Sequence, residues 1–116
     1  MDLEALRSYC LSKHSVEECF PFDDVTLVFK VGGKMFALVG TDEHPLSINL
    51  KCDPEIALEL RERYDAVTPA YHQNKRHWNT VTLDGSVRAA IVKEWIDASY
   101  DLVVSSLTKA QRATLA

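Results

Sequence analysis

The sequence predicts an α+β fold, a two-layer sandwich whose mainly antiparallel sheet carries helices on one face. Three observations lead there. Apolar and polar residues alternate over 25–31, 34–39 and 46–51, the period of strands with a buried side. Apolar residues recur at helical spacing near the N-terminus, after residue 53 and again after residue 86. The resulting order, α-β-β-β-α-β-α, joins its first three strands by short links. That is an antiparallel meander, with helices left to cover one side and the other side partly open.

Asp2 stands at an N-cap position, and Leu3, Leu6, Cys10 and Leu11 make the first apolar stripe. His14 and Ser15 end the pattern, and Pro21 confirms the break. Residues 15–24 read as a loop anchored by Phe20 and Phe22. Val25, Leu27, Phe29 and Val31 then face one way along a strand. Gly32-Gly33 signals a two-residue hairpin, because positive φ is sterically free at glycine. The return strand alternates Met35, Ala37 and Val39 with Phe36 and Leu38.

After a polar loop and a third strand, Asp53-Pro54-Glu55 starts a helix with a mechanism. Asp53 caps, Pro54 is pre-set for the first helical position, and Glu55 favours the positive end of the dipole. This helix runs to about residue 64, with Ile56, Ala57, Leu60 and Tyr64 inward. Residues 65–69 read as an irregular link. The fourth strand, 77–83, sets Trp78, Thr80 and Thr82 against His77, Asn79, Val81 and Leu83. Neither side is purely apolar, which marks one face for function. The longest helix, 86–107, carries a stripe of Val87, Ala90, Ile91, Trp95, Ala98, Leu102 and Val103, and residues 108–116 form a short tail.

The 116 residues suffice for one domain, 1–116, with a real core. A hydrophobic fraction of 47% with 26% charged residues is that of a globular chain. Apolar runs are too short to span a bilayer, and Met1-Asp2 opens no signal peptide, so the expectation is a cytoplasmic protein without a membrane partner. Cys10, Cys19 and Cys52 are odd in number and lack CxxC spacing, which favours buried reduced thiols over a disulfide framework or zinc clip.

No motif satisfies the requirements of an active site, so the chain is expected not to be an enzyme and to need no cofactor. His72 and His77 are five apart, off the spacing of a helical metal pair. No serine sits in a G-x-S-x-G elbow, and nothing around Cys52 marks a nucleophile. The least generic stretch is 69–85, which holds the only adjacent Lys-Arg pair. Lys34, Lys75 and Arg76 are candidates for phosphates, and Asn74 and Asn79 for adenine edges. Tyr71 and Trp78 are candidates for base stacking, with His72 and His77 shaping the surface. The net charge of −4 and pI of 5.5 require that basic charge be segregated on one face. The competing reading is a protein-interaction or metal-handling module that uses the acidic front end, Glu17, Glu18, Asp23 and Asp24.

The chain resembles the MmcQ/YjbR family. The resemblance lies in Leu50-Lys51-Cys52-Asp53-Pro54-Glu55, in Pro69, His72, Asn74-Lys75 and His77-Trp78-Asn79-Thr80-Val81, in Leu83-Asp84-Gly85, and in Ser99-Tyr100-Asp101-Leu102-Val103. It implies a fold similar to the bacterial frataxin homologue CyaY, also described as a double wing, and the family is commonly labelled DNA-binding. The label carries over to His72, Asn74, Lys75, His77, Trp78 and Asn79, with the Gly32-Gly33 hairpin as a wing. Two positions depart from the family pattern. Gln73 replaces an apolar residue, implying a more solvent-facing turn, and Arg88 stands where a proline often opens the last helix.

Overall fold

The computed structural model describes residues 1–70 and 73–115. Its strands are β1 (Val16–Cys19), β2 (Thr26–Val31), β3 (Lys34–Gly40), β4 (Ser47–Lys51), β5 (Val67–Pro69) and β6 (Trp78–Thr82). Its helices are α1 (Leu3–Leu11), α2 (Pro54–Arg63), α3 (Ala89–Ser106) and the short α4 (Lys109–Ala113). The strands form one antiparallel sheet in the order β1-β2-β3-β4-β6-β5. The α+β sandwich is the one expected, with β1 and β5 added at its two edges, where the sequence read loop and link.

The main core lies between sheet and helices. Leu6 and Cys10 of α1 and Val92, Ile96 and Val103 of α3 pack on Phe29, Val39, Ile48 and Val81 of the sheet. Asp2 caps α1 as expected, accepting from the Ala5 amide at 2.8 Å. Tyr9 and Lys13 then tie that helix to α3 through the Asp97 carboxylate, at 2.6 and 2.5 Å. Arg7 grips Glu18 with two nitrogens and so fastens α1 to the edge strand β1.

The long helix is rotated from the expected stripe. Its fully covered residues are Val92, Ile96, Ser99 and Val103, while Ala90 and Ala98 are exposed and Trp95 and Leu102 only half-buried. The helix is apolar over more than one side, and only one side meets the sheet. Ser99 is wholly buried there because the sheet offers it two partners. Its hydroxyl donates to the Phe36 carbonyl at 2.6 Å and accepts from the Lys51 amide at 2.9 Å. Phe36 is the extra residue of a bulge, since Phe29 pairs with Ala37 and Lys30 with Met35. The bulge also turns Phe36 into the helix-side core, against the simple alternation read from sequence. The start of α3 shifts as well. Arg88 occupies the N-cap without a side-chain cap bond, and the helix begins at Ala89.

The opposite sheet face carries a small second cluster, Val28, Leu38, Ala70 and Trp78, with Cys19 and Met35 alongside. Around it the face is polar, and Thr80 donates to Asn49 at 2.7 Å across the β4–β6 pair.

Candidate nucleic-acid interface

The segment singled out by sequence folds as a turn leading into β6. Asn74, Lys75 and Arg76 are exposed, and His77 is half-buried. The turn closes on itself. The His77 and Trp78 amides donate to the Asn74 carbonyl, and the Arg76 amide donates to Asn74 Oδ1 at 3.0 Å. Asn74 is thereby a turn-former, the usual use of a side chain that can bond its own backbone two residues on.

Arg61 on α2 holds this turn from below. Its guanidinium donates to the Lys75 carbonyl, to the Trp78 carbonyl at 3.4 Å and, through Nε, to Asn79 Oδ1 at 2.7 Å. Asn79 in turn donates to the Ala57 carbonyl at 3.3 Å. Arg61 is not on the inward stripe of α2 that the sequence predicts, and no pattern within α2 shows a partner eighteen positions away.

Two expected contact residues are corrected by this arrangement. Asn79 is 2% exposed, and both ends of its amide are bonded, so it presents nothing to a base edge. Trp78 is 9% exposed and packs with Val28 and Leu38, which removes its ring face from stacking. Both are structural residues that position the turn. A third correction concerns Lys34. Its ammonium donates to the Ser106 carbonyl at 3.2 Å, at the C-terminal end of α3 where the helix dipole favours a cation. The hairpin beside it is no free wing, because Gly32 lies against Leu107. Tyr71 and His72 lie outside the described residues.

What gathers near the turn is decided by register. Lys51 pairs with Trp78 and so shares its open face. Lys30, opposite Met35 and Glu17, lies toward the same end. The other end of the sheet, where Ser47 pairs with Thr82 and Thr26 with Gly40, is flanked by Asp23, Asp24, Asp42, Glu43 and Asp84. Lys30, Lys51, Lys75 and Arg76 therefore gather toward the turn end, where Glu17, Asp53 and Glu55 stand among them. Arg76 also shares a surface hollow with Glu55, Leu58 and Arg61.

In the acidic front end, two of the four carboxylates, Glu18 and Asp23, are engaged within the fold. Glu18 is held by Arg7. Asp23 accepts from the Thr26 and Val25 amides, at 2.6 and 3.1 Å, and these bonds keep its carboxyl below the ordinary value. Among the described residues, no group of three or more His, Cys, Asp or Glu is placed to hold a metal ion. No helix of the described residues is long and apolar enough to cross a membrane.

The YjbR family model matches residues 11–102. The chain is 36% identical over 115 residues to the uncharacterized protein YjbR of Escherichia coli strain K12, covering 99% of this chain and 98% of that one. It is 37% identical over 106 residues to the uncharacterized protein YbdF of Escherichia coli O157:H7, covering 91% and 87%. A crystal structure of a Deinococcus radiodurans protein with a DUF419 domain superposes with a TM-score of 0.91 at 46% identity, covering 97% of this chain and 86% of that one. A Pseudomonas syringae protein structure gives 0.75 at 28% identity, covering 88% and 98%. With the family model matched over residues 11–102 and a relative matched over nearly the whole chain, the chain belongs to the MmcQ/YjbR family.

Proposed function

We propose that this protein is a non-catalytic binding module that contacts a nucleic-acid backbone through the exposed turn that precedes β6, at one end of the sheet. Lys75 and Arg76 are the principal phosphate contacts, with Lys51 behind them. The supporting observation is the exposed turn 74–76, bonded to Arg61 of α2 and closed on Asn74. A turn fixed in advance loses little entropy on binding. The adjacent cations Lys75 and Arg76 would steer a polyanion to the turn locally despite the net charge of −4.

The burial of Trp78 and Asn79 shapes the reading. With those side chains committed to the fold, recognition rests on phosphates more than on bases, and binding is expected to be salt-sensitive and tolerant of sequence. The DNA-binding label usual for the family fits this mode. A cytoplasmic location belongs to the same reading.

The test is fluorescence anisotropy of labelled duplex and single-stranded DNA titrated at several salt concentrations. Removing both cations, Lys75→Ala with Arg76→Ala, should lower the salt slope on duplex by about two units. Absence of binding to either DNA at low salt would sink the proposal.

A further inference from the structure

On the helix side of the sheet, α2 packs against β5 while α3 packs against β2, β3 and β4. The two helices stand apart over β4 and β6, and a cleft of about 460 Å³ opens between them. Ile56 and Leu60 form one wall, Trp95, Ala98 and Leu102 the other, and the sheet closes the bottom. Tyr64, at the end of α2, meets Trp95 edge-on with ring centres 5.1 Å apart, which bridges the helices at one end. Ile56 is left 49% exposed. This is where the residues expected in the core of α3 went: they line a space that the chain itself leaves unfilled.

The mouth has a sign. Asp53 and Asp101 stand on its rim. Asp53 uses one oxygen to cap α2, accepting from Glu55 N at 3.0 Å. Among the described residues, no ion pair engages Asp101. Lys51 also borders the cleft, but its amide bonds Ser99 and its pairing with Trp78 turns its side chain to the opposite sheet face. The rim carboxylates therefore receive no ammonium from it.

We propose that this cleft binds a small amphiphile, with the apolar body between α2 and α3 and a cationic head, an ammonium group, at Asp53 and Asp101. Its size is within the usual range of small-molecule pockets, and apolar walls with a few polar groups at the mouth are the usual construction. A helix of three turns fills roughly 1,200 Å³ and would enter only by its side chains. The bridge at Tyr64 and Trp95 also blocks a rod lying along the whole groove. This site is separate from the basic turn, so either proposal can fail alone.

The probe is N-phenyl-1-naphthylamine, an uncharged dye that brightens in apolar surroundings. It is displaced with dodecyltrimethylammonium or with dodecanoate, both below their micelle concentrations. Dye binding should saturate at one site, and the cation should displace it at lower concentration than the anion. Ala98→Trp, at an exposed position on the cleft wall, should narrow the cleft and weaken dye binding, as should Ile56→Gln. Asp101→Asn should narrow the preference for the cation by up to about fivefold. The cation should also protect Cys52, on the rim, from iodoacetamide, while Cys19 on the other sheet face reacts as before. Equal displacement by both amphiphiles overturns the cationic assignment. Undiminished dye binding in Ala98→Trp and Ile56→Gln overturns the site. Protection of Cys52 by a synthetic basic amphipathic peptide but by neither small molecule would assign the cleft to a partner helix and overturn the small-molecule reading.

Discussion

Two buried polar side chains hold the molecule at the places where regular structure leaves groups unpaired. Ser99 serves the bulge in β3 and the end of β4, and Asn79 joins the sheet to α2 and Arg61. Removing either leaves a covered donor or acceptor without its partner. Ser99→Ala and Asn79→Ala should each cost about 1–3 kcal/mol, read from urea midpoints at unchanged slope. Neither role was legible from sequence, because the partners of Asn79 lie 18 and 22 positions away, at Arg61 and Ala57, and those of Ser99 lie 48 and 63 away, at Lys51 and Phe36. Asp97 shows a balance of the same kind. Burial works against its charge, but hydrogen bonds from Lys13 and Tyr9 outweigh this and hold its pKa below the ordinary value. Its contribution is present above its unfolded pKa of about 4 and lost as pH falls through the lower folded value. Tyr9, bonded to Asp97 and partly desolvated, is pushed up to about 12. Its contribution is complete below about pH 10 and is lost as pH rises toward the folded value. Melting curves across pH should show both losses. Tyr9→Phe should reduce the alkaline one, and Asp97→Asn the acid one.

At the scale of elements, what the sequence showed depended on how each element is covered. The strands β2, β3, β4 and β6 alternate because one face meets the helices, and they were found within a residue or two. β1 and β5 have four and three residues, too short for a period to show. The α3 stripe was misplaced by about one residue position because its apolar surface is wider than its contact with the sheet. The surplus side became the cleft wall. Residues 74–76 form a turn before β6, and which side chains of 74–79 face outward depends on the pleat of β6 and on Arg61. The hairpin gives a test at this scale. Gly32 and Gly33 have φ of 58° and 82°, the left-handed region that the two-residue turn requires. A side chain at Gly33 meets nothing within 4 Å, whereas one at Gly32 would come within 2.7 Å of Leu107. Gly33→Ala should therefore cost about 1–2 kcal/mol from backbone strain alone. Gly32→Ala should cost more, because buried Leu107 must move as well. Thermal melts of the two variants compare them directly.

The whole molecule is a sheet with two differently finished faces. Helices cover one, with the cleft between α2 and α3, and the other carries the small Val28, Leu38 and Trp78 cluster within polar surroundings. Thiol chemistry should sample this organisation. Burial pushes the Cys10 thiol up to about 12, and the residue is wholly covered in the main core. Cys52 and Cys19 are only half-buried. Labelling with an alkylating reagent should modify Cys19 and Cys52 in the native state, and Cys10 only at the rate of global unfolding. Rapid native labelling of Cys10 would show that α1 opens on its own.

The two short strands at the sheet's edges have a consequence of another kind. A six-stranded sheet exposes unpaired backbone along both rims, which invites a neighbouring molecule to add a strand and begin a fibril. Here one rim is β1, only four residues long and carrying Glu17 and Glu18, and the other is β5, three residues long and ending in Pro69, which has no N–H to offer. Brevity, like charges and a missing donor make both rims poor templates, so the open face can remain exposed with little risk of edge-to-edge polymerisation.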